Sequence, residues 1–218
     1  VEIMSEKDFI ESLKEINIIP TNTQLLQLKK YYNLLIEWNQ KINLTRITNE
    51  KDVYLKHFYD SLTITKVVDL NTCTTLLDFG TGAGFPGMVL KIMYPSLKIT
   101  LIDSLRKRTI FLNEVVKELD LKDIEVVHCR IEDYPEKNFD IITTRAVANL
   151  SKLLDYTHKL IDNNTKFIPL KGHVDDEIEL AKTKLNKYNL EIVTKEEFNL
   201  PVENSTRTIL IIEKKKNN

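Results

Sequence analysis

The sequence predicts an α/β fold, a Rossmann-like and mostly parallel sheet of seven strands preceded by a helical N-terminal extension. Three observations predict it. Four of the five glycines, Gly80, Gly82, Gly84 and Gly87, stand within eight residues directly after an apolar run. Such a concentration calls for one tight turn that brings bare backbone close to a bound molecule. From residue 67 onward, apolar runs of strand length alternate with segments of helical spacing, the pattern of βαβ units. Before residue 67 the chain holds three stretches of helical spacing instead.

Those stretches run over 5–18, with Phe9, Leu13 and Ile16 on one face, over 22–39, with Leu25, Leu28, Tyr32, Leu35 and Trp38, and over 50–65. Thr75-Leu76-Leu77-Asp78-Phe79 reads as a buried strand. Pro86 suits the first turn of the helix that carries Met88, Val89, Leu90, Ile92 and Met93. The second strand, Lys98 to Ile102, ends in Asp103, about 20 residues beyond the glycines, where such folds place a carboxylate on a ribose. A helix over 105–119, strands over 124–128 and 139–144, a helix over 150–161, a strand over 166–170 and a helix over 174–187 follow. Strands over 190–198 and 206–213 close the chain with no helix between them, which predicts an antiparallel hairpin at one end of the sheet. The division expected is an extension over 1–66 and a core over 67–218, without repeats, low-complexity tracts or a flexible linker.

Charge selects the ligand. Gly82-Ala83-Gly84-Phe85-Pro86-Gly87 formally matches the dinucleotide fingerprint G-x-G-x-x-G. Asp78, two residues before the first glycine, would repel a pyrophosphate. S-adenosylmethionine brings a ribose for Asp103, no phosphate, and a cationic sulfonium and amino group, so a methyl donor fits better than NAD or FAD. A turn whose glycines serve packing alone is the competing interpretation, and Asp103 can at the same time cap the helix that follows it.

Asp78 through Gly87, then Leu101-Ile102-Asp103-Ser104-Leu105-Arg106-Lys107-Arg108 and Phe111-Leu112, closely resemble the bacterial small-subunit ribosomal RNA guanine-N7 methyltransferase G family, also called glucose-inhibited division protein B. Trp38-Asn39, Asn43-Leu44-Thr45, His57 and Asp60-Ser61-Leu62 upstream resemble that family's N-terminal signature. Arg130-Ile131-Glu132, Thr144-Arg145-Ala146 and Leu170-Lys171-Gly172 downstream follow its order, so the likeness spans roughly residues 30–180. Phe79, where a smaller aliphatic residue is common, and Val147, where an aromatic is usual, depart from it. The resemblance implies a class I S-adenosylmethionine-dependent methyltransferase fold and methyl transfer to guanine N7 of 16S ribosomal RNA, as naked RNA or in the small ribosomal subunit. Gly80 and Phe85 are then expected along the methionine and sulfonium of S-adenosylmethionine, with Gly82 and Asp78 in the turn and Asp103 on the ribose. Ile131 is expected on the adenine face, Glu132 at its edge, and Arg145 between cofactor and target base.

No general base stands out, and N7 methylation needs none, because N7 carries a free lone pair and loses no proton. Orientation is the remaining task, and Arg145 or Lys171 is expected to supply it through guanine O6. Net charge is only −1, so affinity for RNA must come from local clusters. Arg106-Lys107-Arg108, beside the expected cleft, is the candidate cluster, with Asn43, Thr45 and His57 as walls of the RNA site; for His57 and Trp38 ordinary core packing is an equal alternative. Lys29-Lys30 and Lys214-Lys215-Lys216 carry less weight. Two cysteines and four histidines without metal-ligand spacing predict reduced thiols and no metal. No run of about 18 apolar residues predicts a membrane span, and a cytoplasmic monomer is expected. A methyltransferase of another RNA, a protein or a small molecule, and a cofactor-binding assembly factor without catalysis, stay open on the residues alone.

Overall fold

The computed structural model describes residues 6–135 and 138–217; Ser5, where the first helical stretch was expected to begin, lies outside them. Two helices open the chain, α1 (Glu6–Glu15) and α2 (Asn22–Asn39). α2 begins where a capping box dictates. Gln24 N–H donates to Thr21 Oγ1 and Thr21 N–H to Gln24 Oε1, at 3.1 and 2.9 Å, which satisfies two otherwise orphaned donors.

The stretch over 50–65, expected as one amphipathic helix, is instead broken into four segments of three windings. It comprises α3 (Glu50–Val53), a π-helical turn (Tyr54–Tyr59), α4 (Asp60–Leu62) and a 3₁₀ turn (Thr63–Lys66). Side-chain hydroxyls compete with the regular ladder here: Ser61, Thr63 and Thr65 each donate to a carbonyl three or four residues back. In the π turn the Asp60 N–H reaches the carbonyls of Leu55 and His57. The Lys56 carbonyl between them takes Arg145 as a donor instead.

The core alternates as expected: β1 (Thr75–Phe79), α5 (Gly87–Met93), β2 (Lys98–Asp103), α6 (Arg106–Glu118), β3 (Ile124–His128), β4 (Ile141–Arg145), α7 (Leu150–Thr157), β5 (Lys166–Lys171), α8 (Asp175–Lys187), β6 (Leu190–Asn199) and β7 (Thr206–Lys214). The sheet order is β3-β2-β1-β4-β5-β7-β6. The first five strands pair in parallel, and β7 runs antiparallel to both β5 and β6. The chain order therefore reverses between β1 and β4, which is where doubly wound sheets open a crevice beyond their carboxyl ends.

Period-two alternation sends successive strand residues to opposite faces. Leu76, Leu101, Ile141 and Ile168 join one apolar cluster, whereas Leu77, Ile102, Ile142 and Phe167 join the other. α5 and α6 cover the first face together with Phe9 and Leu13 of α1 and Leu28, Tyr31 and Leu35 of α2. α7 and α8 cover the second. The N-terminal helices thus share a core with the sheet. Leu35→Ala should cost about 2–5 kcal/mol, and urea unfolding followed by both far-ultraviolet circular dichroism and tryptophan fluorescence should keep a single, coincident transition.

Candidate active site

Three of the four clustered glycines turn with positive φ: Gly80 at +60°, Gly82 at +61° and Gly84 at +109°. Only one of the four faces open space. A Cβ on Gly82 would meet nothing within 4 Å, whereas one on Gly80 would overlap Val147, one on Gly84 the Tyr31 hydroxyl, and one on Gly87 the side chain of Leu101. The expectation that the cluster as a whole bares backbone to a ligand is corrected accordingly. Gly82 fits it, and the other three make room for protein atoms at their missing side chains.

The turn is pinned from below and from one side. Thr81 Oγ1 and the Gly87 N–H both donate to Asp78 Oδ2, at 2.6 and 2.8 Å, and the Gly82 N–H donates to Asp103 Oδ2 at 2.8 Å. Pro86 precedes α5 as its cap residue, after a cis peptide bond with Phe85. Asp78 is 0% exposed and its Oδ1 has no partner. Burial drives its pKa up to about 8, against the lowering by Thr81, Gly87 and Arg145, so at neutral pH this acid is mostly uncharged. The sequence argument that Asp78 meets the ligand as a carboxylate is therefore corrected: it fastens the two ends of the turn. Asp103 is committed as well, with a side chain 1% exposed that lies 3.5 Å from Arg108 and accepts the Leu105 N–H at 2.9 Å. It does not cap α6 in the usual way, since Leu105 holds the cap position.

Two cavities flank the end of β4. The narrower, about 280 Å³, is lined by Phe79, Gly80, Ile102, Ser104, Ile131 and Glu132 among others, with Val147 at its rim. Phe79, Ile102 and Ile131 share that lining with Ser104, Arg130 and Glu132, a mixed surface that suits a flat heterocycle with a ribose; Gly80, expected on the methionine side, lines the same cavity as Ile131 and Glu132. The wider, about 430 Å³, is lined by Lys56, His57, Asp60, Arg145, Lys171, Glu177 and Arg207 with Ile47, Leu170 and Ile209. Four cations face two carboxylates on that wall, a local excess that a net charge of −1 conceals. Arg145 and Ala146 line the wide cavity and Val147 the narrow one. Ala146, at φ +56°, turns the chain between them.

Arg145 is the hub of a buried network. Its Nη1 donates to the Lys56 carbonyl at 2.8 Å and lies 3.4 Å from Asp60 Oδ2, and its Nη2 lies 2.8 Å from His57 Nδ1. A guanidinium only donates, so His57 Nδ1 accepts and Nε2 carries the hydrogen, which it gives to Thr45 Oγ1 at 3.0 Å. His57 is 7% exposed; burial first, and the charge of Arg145 second, lower its pKa to about 3. Thr45 is placed in turn by Asn39, whose Oδ1 accepts the N–H groups of Leu44 and Thr45. The scattered residues Asn39, Thr45, His57 and Arg145 are thus one hydrogen-bonded chain.

Phe85 does not line either cavity. Its ring stacks on His57 at 4.1 Å and 9° and lies 5.2 Å from the Arg145 guanidinium, so its expected contact with the cofactor is replaced by a seat in the aromatic packing beneath the site. Lys171 Nζ donates to the Ala148 carbonyl and to Glu177 Oε1, at 2.6 and 2.8 Å, and lines the wide cavity. Asn43, Arg106 and Lys107 are exposed outside both cavities. Arg108 is drawn back to Asp103 and is not a free cation for RNA. Sequence reasoning missed Lys56, Asp60 and Arg207. Arg207 Nε meets Asp60 Oδ1 at 3.2 Å. Its signal was the predicted hairpin: an antiparallel last strand starts beside the end of β5, here with Lys171 opposite Thr208.

Among the described residues no group of three or more His, Cys, Asp or Glu is placed to hold a metal, and no helix is long and apolar enough to cross a membrane. A family model described as rRNA small subunit methyltransferase G matches residues 24–206. A ribosomal RNA small subunit methyltransferase G of Bacillus pumilus (strain SAFR-032) is 42% identical over 98% of this chain and 92% of its own. One of Staphylococcus aureus (strain JH9) is 44% identical over 94% and 88%. A solved S-adenosylmethionine-dependent methyltransferase of Aquifex aeolicus superposes with a TM-score of 0.56 at 18% identity, covering 81% of this chain and 97% of that one, a likeness of fold.

Proposed function

The chain belongs to the rRNA small subunit methyltransferase G family, and on that footing we propose that the two cavities are the donor and base pockets of one reaction, methyl transfer to guanine N7. The protein is an S-adenosylmethionine-dependent methyltransferase of the 16S RNA of the small subunit. The observation that carries the proposal is the three-residue wall Arg145-Ala146-Val147, which sets the cavity lined by Gly80, Ile131 and Glu132 back to back with the cation-lined one.

S-adenosylmethionine supplies a methyl group on a positively charged sulfur. Gly80, Ile131 and Glu132, with Ser104, would hold its nucleoside, and Gly82 and Asp103 shape the turn over its ribose. Asp103 already accepts from the Gly82 and Leu105 N–H groups and lies 3.5 Å from Arg108, so a ribose contact there would share it with them. The target N7 lone pair forms the new carbon–nitrogen bond as the carbon–sulfur bond breaks and its electron pair stays on sulfur. The positive charge passes to the purine, and no proton is exchanged. Arg145 spends three of its five N–H groups on protein acceptors; the remaining donors, with Lys171 and Arg207, can fix guanine O6 and the flanking phosphates. His57 stays neutral beside the base, so it adds no repulsion to the charge that develops there. Arg106 and Lys107 open α6 where the helix dipole disfavours cations, which suits a role in gripping RNA backbone more than one in stability. The proposal includes a cytoplasmic monomer that needs no metal and the division of the chain at residues 66 and 67.

The test is incubation with methyl-labelled donor and, separately, naked 16S RNA, small subunits and free nucleosides, followed by mapping of the label. Label at N7 of one guanosine, detected by reduction and aniline cleavage, is the expected outcome. Label on a base oxygen, an exocyclic amine or protein would refute the N7 assignment.

A further inference from the structure

The turn has a third anchor, and it comes from outside the sheet. Tyr31 of α2 is 0% exposed, and its hydroxyl donates to the carbonyl of Ala83, midway between Gly82 and Gly84. The absent side chain of Gly84 is the space this hydroxyl occupies. Around the ring, Phe58 and Phe85 stack at 5.6 Å and Phe111 at 6.5 Å. β1 holds the turn through Asp78, β2 holds it through Asp103, and α2 holds it through Tyr31.

We infer that Tyr31 is a positioning residue for the methyl donor: the N-terminal helices set the shape of the glycine turn, and donor affinity depends on that contact. The inference rests on the donor pocket proposed above. Burial raises the Tyr31 hydroxyl well above its ordinary pKa, so it stays a donor across the working pH range. Without this partner an inward-facing Ala83 carbonyl would be left unsatisfied among aromatic rings, and turning it outward would change the backbone at Gly82, the one glycine of the turn that faces open space.

Tyr31→Phe keeps the ring and removes only the hydroxyl. Calorimetric titration with S-adenosylmethionine should show roughly tenfold weaker binding, whereas kcat at saturating donor should change less than about twofold, a split that loss of general stability would not produce. Amide exchange of Gly82, Ala83 and Gly84 should quicken while amides of β1 and β2 keep their protection. Equal donor affinity in wild type and Tyr31→Phe overturns the inference. Should Tyr31→Phe fail to fold, Gly84→Ala drives a methyl group into the hydroxyl's place and must show the same loss of donor affinity; unchanged affinity there overturns it as well. Absence of donor uptake by the wild-type chain refutes the functional reading itself, whereas uptake that ignores Tyr31 refutes only its positioning role.

Discussion

Arg145→Ala is expected to slow methyl transfer by about 100-fold or more and to destabilise the protein by about 3–5 kcal/mol. The stability loss follows from what the guanidinium leaves behind. Among the described residues Asp60, 6% exposed, keeps Arg207 as its charged partner, while the Lys56 carbonyl and His57 Nδ1 lose the Arg145 donors. Loss of one member of a buried charged network costs more than the net worth of the pair, because the remaining groups stay desolvated. Arg145→Lys keeps the charge but cannot span the three acceptors at once, and should fall between wild type and alanine in both measurements. Single-turnover transfer at saturating donor, set beside urea unfolding and donor titration, separates the effects. Full transfer and normal donor affinity in Arg145→Ala would show that the residue has no part in the reaction.

The second large effect is on stability against pH, where two buried groups act with opposite sign. Asp78 titrates near 8 in the folded chain and near 3.9 in an unfolded one. Between those values the native state holds a proton that the unfolded state has released, so stability falls as pH rises from about 4 to about 8. His57 titrates near 3 when folded and near 6.5 when unfolded. Between those values the unfolded state holds the extra proton, so stability falls as pH drops from about 6.5 to about 3. From about 4 to 6.5 the two slopes offset each other. Above that window Asp78 acts without opposition from His57 and should remove about 1–2 kcal/mol between pH 6.5 and 8. Asp78→Asn keeps an oxygen for Thr81 and Gly87 but cannot ionise, and it should abolish that alkaline loss in urea titrations. An unchanged slope in Asp78→Asn would place the titrating group elsewhere.

Helix and strand order was legible because it rests on local periodicity. The Thr21 and Gln24 capping pair starts α2 where the apolar spacing begins, and the apolar runs over 75–79, 98–103 and 124–128 hold no breaker. The absence of helical spacing between the last two strands correctly implied an antiparallel β7, and with it the sheet order at that end. The stretch over 50–65 was harder to read, since its apolar spacing is helical while its hydroxyls and the docking of Arg145 rewind it.

The sequence by itself determined the element order, the glycine turn and, through signatures in fixed order, the family and with it the type of ligand, whereas the charge argument from Asp78 did not survive its burial. Only the tertiary structure decided that Asp78 is mostly neutral at pH 7, that three of the four glycines make way for protein atoms, that Phe85 lies beneath the site, and that Lys56, Asp60 and Arg207 join Arg145. Local propensity acts between near neighbours along the chain. Desolvation and side-chain direction are set by whichever distant element packs against a residue, and here Tyr31 lies 52 positions from the carbonyl it holds and Asp60 lies 147 from Arg207.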